Sequence, residues 1–401
     1  MKKLVLLFSV LFALVALTGC GKGPMQLVWF SDGVEGTVMQ GLLDQYEEET
    51  GVEIELVSVA YDSYEAKLAT MISGGNAPAL ARVTEGHLTN YQDEVISLEG
   101  VYDTTKFANL FFNADGDVVS LPMDVTANGM FVNFDLLDAY EVDYPTGDDE
   151  VWTWDTFYTE MSKLDGDDVA APGVIDHKGH RFMPLIYQAG VTVWDTPYTT
   201  TNLTSQAAVD ATQRIMDYFE EGFFDIDGAY DTQNSASLFR GGQYGFHISG
   251  NWNVAGYQDL TFDWGVLPMP KDANRATILG GKSMAAFEGS GYEQEAKDFI
   301  AWMAQDAHHD AYCEGVPFLS PRYDAVIDFG DYEAQYSVFQ DEISATASEY
   351  SEDWFNQILI VGMYPIINDW AQAVATNPDG KTALQLLQEL ETELIAAANA
   401  E

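Results

Sequence analysis

Cysteine is almost missing from this chain: apart from Cys20 there is only Cys313. If Cys20 is modified, Cys313 has no partner, so neither an internal disulfide nor a cysteine-based metal site can form. Cys313 is then expected to be a small buried apolar side chain. Basic residues are scarce as well, with 17 Lys and Arg against 64 Asp and Glu and a formal net charge of -47. Such a surface repels nucleic acid and anionic membranes and makes phosphate or sulfate an awkward ligand. The charges are scattered, as suits a solvated surface in salty surroundings. Catalytic signatures are absent too: there is no Gly-x-Ser-x-Gly elbow, no P-loop and no His-Glu-x-x-His. His308 and His309 are neighbours on a helical stretch and so point to different faces. Asp225-Ile226-Asp227-Gly228 lacks the rest of a calcium loop and is expected to form a turn. No cofactor or metal is expected.

Long apolar runs are confined to the N-terminus. Lys2 and Lys3 precede a run from Leu4 to Leu17 that only Ser9 interrupts, and Leu17-Thr18-Gly19-Cys20 follows. The run falls short of the roughly 20 residues that cross a bilayer as a helix. Small residues before a cysteine suit cleavage more than a permanent span, so residues 1–19 are expected to be a signal peptide. Similarity to bacterial lipoprotein signals implies that Cys20 becomes the mature N-terminus and carries lipid, with 20–23 as the anchored segment. Several acyl chains together give stable anchoring.

What remains is a globular chain, 47% hydrophobic, long enough for two lobes with separate cores. Gln26 to Phe30 is a short apolar strand, and Val38, Met39, Leu42, Leu43 and Tyr46 recur at helical spacing before Gly51. Val52 to Val57 alternates as a strand does, and Tyr61 to Ile72 is again helical. This rhythm predicts an α/β fold with mostly parallel sheets and flanking helices. Asp115-Gly116-Asp117 suggests a hairpin, and Met130 to Phe134 a strand. Ser205 starts a helix that Gly222 ends, and Glu293 to Ala304 and Lys381 to Ala398 are helical. No linker or repeat is present, which favours lobes joined by several crossings.

A series of local motifs then resembles family 1 extracellular solute-binding proteins, the group with the maltose-binding branch. It runs through Leu27-Val28-Trp29-Phe30, Gly74-Gly75-Asn76-Ala77-Pro78, the segment from Asp117 to Pro122 that looks like the family's hairpin ending in Leu-Pro, Phe131-Val132-Asn133-Phe134-Asp135-Leu136-Leu137 and Thr153-Trp154-Asp155-Thr156-Phe157. It continues with Leu238-Phe239-Arg240-Gly241-Gly242-Gln243, Gly250-Asn251-Trp252, Leu267-Pro268-Met269-Pro270 and Gly280-Gly281. Asn133-Phe134 lacks the family's usual Lys, and Ala79 stands where Asp is common. The resemblance implies a two-lobed periplasmic-binding-protein-like fold of type II, with a ligand cleft between the lobes. Lobe 1 would comprise 24–125 and 283–323, and lobe 2 would comprise 127–281 and 324–401. The implied role is a monomeric, lipid-anchored receptor outside the cell that captures a carbohydrate and passes it to ABC transporter permease subunits, without catalysis.

Ligands on such sheets bind beyond the strands' carboxyl ends, where Ser31, Asp32, Glu35, Glu85, His87, Asp124 and Thr126 fall. Carboxylates, amides and histidine suit the donor and acceptor pattern of sugar hydroxyls. Flat rings suit the C–H faces of sugars, and Trp252 aligns with the family's stacking tryptophan, with Trp370 and Trp194 as further candidates. Trp29 is expected in the core and Trp154 as packing at a helix start. Gly280 and Gly281 permit a close backbone approach to a ligand, and Arg322 either reaches the cleft or pairs with the acidic surface. A polyamine binder is the alternative within the binding class. A secreted glycoside hydrolase, which would need an acid pair at a defined separation, is less favoured.

Overall fold

Alternating side chains bury both faces of the first strand. In β1 (Met25–Phe30), Leu27 and Trp29 enter one core while Val28 and Phe30 enter another, as a strand covered on both sides requires. The computed structural model describes residues 24–30, 34–113, 115–147, 150–229, 232–354 and 363–399. The remaining strands are β2 (Ile54–Val59), β3 (Leu80–Val83), β4 (Ser120–Pro122), β5 (Asn128–Asn133), β6 (Ala171–Ile175), β7 (Trp194–Thr196), β8 (Thr200–Thr201), β9 (Tyr244–Gly250), β10 (Trp264–Leu267) and β11 (Ser283–Ala286). They form one sheet in the order β2-β1-β3-β11-β4, a second in the order β10-β5-β9-β6, and the small pair β7-β8.

The two large sheets are mixed, which corrects the expectation of mostly parallel ones. β1 runs parallel to β2 and β3, but β11 is antiparallel to both β3 and β4. In the second sheet β5 is antiparallel to β9 and β10, while β6 and β9 are parallel. One strand per sheet is therefore reversed, and each is the strand that follows a passage from the other sheet. A chain arriving at the edge where its neighbours end must run against them. The carboxyl ends of β3, β4, β6, β9 and β10 and the amino ends of β5 and β11 accordingly gather at the junction.

Helices begin where the sequence offers caps. The Asn133 side chain accepts from the Leu136 N–H to start Phe134–Ala139, and Thr153 does the same for Trp154–Met161. Gly51, at φ 76°, ends Glu35–Thr50 in the left-handed conformation that suits a residue without Cβ. Trp29 is fully buried, and Trp154 is buried with its indole N–H on Gln188 Oε1 at 2.8 Å. Cys313 is buried too. The turn at Asp225 is closed by Asp227 N–H on its carboxylate.

Three chain passages meet side by side between the sheets. Val125 N–H donates to Leu319 O, and Thr126 and Gly280 exchange both backbone bonds at 3.0 and 2.9 Å. Met123 N–H donates to Lys282 O at 2.8 Å. The fit depends on Gly281: a Cβ there would stand 2.2 Å from the Asp124 carbonyl oxygen. The close approach expected of Gly280 and Gly281 is thus to the neighbouring passage.

Candidate functional site

The junction is organised by the end of β9. Gly250 is followed by fully buried Asn251, whose Oδ1 accepts from Ala127 N–H at 3.0 Å and whose Nδ2 donates to Val125 O at 3.3 Å. Asn251 thus fastens β9 to the first passage. Trp252 comes next, half-buried, and its ring folds over Gly250, where a Cβ would stand 1.8 Å from the indole. The Arg181 guanidinium lies 4.6 Å from the Trp252 ring centroid. The Lys282 ammonium lies 5.8 Å from it and 5.5 Å from the ring of Phe318. His180 meets Trp252 edge-on at 6.1 Å.

Arg181 is fully buried and held from three sides. Its Nε donates to Asp176 at 3.0 Å, Nη1 to Asn128 at 3.1 Å and Nη2 to Ser249 at 3.3 Å. The pairing offsets the cost of burying the charge, and the fork geometry fixes the guanidinium plane. His180 stacks on Tyr364 at 5.8 Å and hydrogen-bonds to its hydroxyl. Burial first, then the charges of Arg181, Lys178 and Lys282, hold His180 well below the usual histidine range. A neutral imidazole both donates and accepts, as a partner for hydroxyl groups should.

On the first sheet, Arg82 from β3 plays a matching part. It donates to Phe30 O at 2.7 Å and pairs with Glu35 at 3.5 Å and Asp124 at 3.3 Å. Its guanidinium lies 4.8 Å from the rings of Trp29 and Phe30. Burial raises Asp124, with Lys282 and Arg82 opposing, and its Oδ1 accepts from the Lys282 N–H at 3.1 Å. Glu85, just beyond β3, is pushed up to about 7 by burial, against the stabilising backbone N–H of Gly281 and charge of Lys282. The junction therefore sets an aromatic platform on a fixed cation beside neutral or tied polar groups.

The model of the bacterial extracellular solute-binding protein family matches residues 41–338. This chain belongs to that family. A search of curated proteins finds no match. Among solved structures, the solute-binding protein resembles UgpB from Mycobacterium tuberculosis in complex with glycerophosphocholine at TM-score 0.78 and 16% identity, over 95% of this chain and 99% of that one. An ABC substrate-binding protein from Listeria monocytogenes in complex with cycloalternan gives 0.77 and 18%, over 94% and 100%. The GacH receptor of Streptomyces glaucescens gives 0.77 and 17%, over 94% and 99%. Identities this low speak for the two-lobed fold. The family is extracellular, and among the described residues no helix is long and apolar enough to cross a membrane.

The expected site residues of this solute-binding protein divide into groups. Ser31 and Asp32 lie outside the described residues, as does Cys20. Glu35, Glu85, Asp124, Thr126, Gly280, Gly281 and Trp252 come together at the junction. His87 instead completes a helix cap: Nδ1 accepts from Thr84 N–H at 3.0 Å and Nε2 sits 3.0 Å from Glu65. Trp194 is buried beside Tyr198, with its backbone N–H on Asp353. Trp370 is buried edge-on to Phe182 at 6.3 Å, inside the packing of Tyr364–Thr376. Arg322 is tied to Asp310 at 2.6 Å, Asp324 at 2.8 Å and Asp306 at 3.2 Å, the acidic pairing that was one of its two expectations.

Asn128, His180, Arg181, Lys282 and Tyr364 escaped the sequence reading. A signal existed for some of them. In a chain with so few basic residues, His180-Arg181 and a lysine directly after Gly280-Gly281 stand out.

Proposed function

We propose that this solute-binding protein captures a carbohydrate, a mono- or oligosaccharide, at the junction and passes it to ABC transporter permease subunits by hinge closure. The observation that carries the reading is Trp252, a half-buried ring braced by Arg181 and joined through Asn251 to the passages between the sheets. A flat ring covers the C–H face of a sugar. Neutral His180, the Tyr364 hydroxyl and Glu85 supply hydrogen-bonding groups of the kind hydroxyls need. Similar structures hold cycloalternan, acarbose and α-D-tagatose, which supports a saccharide here.

In this reading lobe 1 is 24–125 with 283–323, lobe 2 is 127–281 with 324–401, and the passages between them form the hinge. The protein acts as a monomer, tethered by lipid on Cys20 after removal of residues 1–19, and it binds without converting its ligand. Titration calorimetry with a panel of saccharides and polyamines, followed by product analysis, tests this. A saccharide should bind and be recovered intact. Binding of polyamines alone, or release of a cleaved product, would overturn the reading.

A further inference from the structure

The helix Gly179–Gln188 opens at the junction without a cap of its own. Lys178 holds the cap position, and its side chain has no acceptor to offer the first amides. The acceptor comes from far along the chain: Asn368 Oδ1 takes the Gly179 N–H at 2.7 Å, across a sequence separation of 189 residues. Asn368 stands one turn after Tyr364 on the helix Tyr364–Thr376, so the two side chains share a face. Tyr364 stacks on His180 and bonds to its ring, while Asn368 ties the residue just before it. Gly179 lets the two helices come this close, because a Cβ there would stand 2.7 Å from Ile367 Cγ2. We propose that Asn368 is a positioning residue for ligand capture, an external cap that holds His180 where a ligand hydroxyl meets it. The proposal rests on the junction being the saccharide site and names the residue that sets one of its walls.

From the other side, Asn128 Nδ2 donates to the His180 carbonyl. The backbone around His180 is thus fixed at the amide before it and at its own carbonyl. Its ring then lies between Tyr364 and Trp252. Without Asn368 the buried Gly179 amide loses its acceptor, and a buried donor left unpaired draws in water or another partner. Either relief requires the first turn to move, and His180 is the second residue of that turn. Loss of a helix cap shifts such a local equilibrium by about two- to thirtyfold. Affinity then falls with the fraction of molecules that keep His180 in place.

The test combines calorimetry on the full chain with NMR of its histidine rings. Asn368→Ala and Asn368→Leu remove the acceptor, the second keeping the side chain's bulk, and melting curves check that each is folded. Both should bind the tightest saccharide of the panel roughly threefold or more weakly than the wild type. Asn368→Asp keeps the acceptor, and its charge suits a helix N-terminus, so it should restore the affinity. In a His180→Ala background, Asn368→Ala should cost nothing further, because the two act as one unit. The NMR arm needs no ligand. His180→Gln assigns the His180 ring among the six histidines, and its titration should move from well below the usual range toward it in Asn368→Ala, as burial is relieved. An equal loss in both backgrounds, a failure of Asn368→Asp to restore binding, or an unmoved His180 titration overturns the proposal. If no saccharide binds the wild type, the carbohydrate reading falls, and the His180 titration alone decides whether Asn368 positions that ring.

Discussion

Replacing Gly281 with alanine should loosen the join between the lobes, whereas the same change at Gly280 should be mild. At Gly281 the new Cβ would stand 2.2 Å from the Asp124 carbonyl oxygen and 3.3 Å from its carbon. Both are backbone atoms, so no side-chain rotation relieves the clash. The passages must part by more than 1 Å to reach ordinary contact. That strains Met123 N–H on Lys282 O and Lys282 N–H on Asp124 Oδ1, at 2.8 and 3.1 Å. Overpacking costs about 1–3 kcal/mol, and each weakened hydrogen bond about 1 kcal/mol. A loss of about 3 kcal/mol should lower the melting temperature by roughly 4 °C in a chain of this size. At Gly280 the nearest atom is the Thr126 hydroxyl at 2.8 Å, which can rotate away, so the loss should stay near 1 kcal/mol or below. Differential scanning calorimetry of both variants decides the matter. Equal melting temperatures for Gly281→Ala and Gly280→Ala would refute the argument.

Gly250→Ala should push the Trp252 ring off its seat, because the Cβ would stand 1.8 Å from the indole. Saccharide affinity should drop about tenfold or more while the melting temperature falls little, and unchanged affinity in calorimetry would count against the platform. Cys20→Ser should release the protein into the medium with ligand affinity intact; membrane association that survives a salt wash would count against the anchor. Glu85→Gln tests the buried carboxyl. Because its folded value is raised to about 7, the native state holds a proton that the unfolded chain gives up near the ordinary glutamate value. Its contribution to stability is therefore present below the unfolded value and lost as pH rises toward 7. Glu85→Gln should thus gain stability relative to wild type between about pH 5 and 8, and a constant difference in melting temperature across that range would exclude the effect.

Local features were legible in the sequence because they rest on local physics. The apolar run from Gln26 to Phe30 marked β1, Gly51 marked the end of Glu35–Thr50, Ser205 marked the start of Gln206–Glu220, and the passage from Gly250 to Trp252 resembled a family stacking segment. What could not be read was direction and depth. The reversal of β5 and β11 follows from where the chain re-enters each sheet, and no periodicity encodes that. Trp370 and Trp194 are large flat rings like Trp252, but helix packing and a backbone clamp by Asp353 bury them. Arg181, Lys282 and Tyr364 are far apart in the chain and meet only because three passages converge. His87 looked like a ligand group, and only its bonds to Thr84 and Glu65 show it to be a cap.

The central claim is that Trp252 forms the floor on which a sugar stacks. Trp252→Ala removes a large ring contact at the middle of the site, a loss on the order of 2 kcal/mol or more, or about thirtyfold in affinity. Trp29→Ala, at a fully buried position in β1, serves as the control that lowers stability instead. Titration calorimetry of both variants with the best saccharide of the panel, paired with melting curves, makes the comparison. The account predicts that Trp252→Ala stays folded and loses about thirtyfold in affinity, with a smaller fall in melting temperature than Trp29→Ala. Binding by Trp252→Ala as tight as that of the wild type would contradict it.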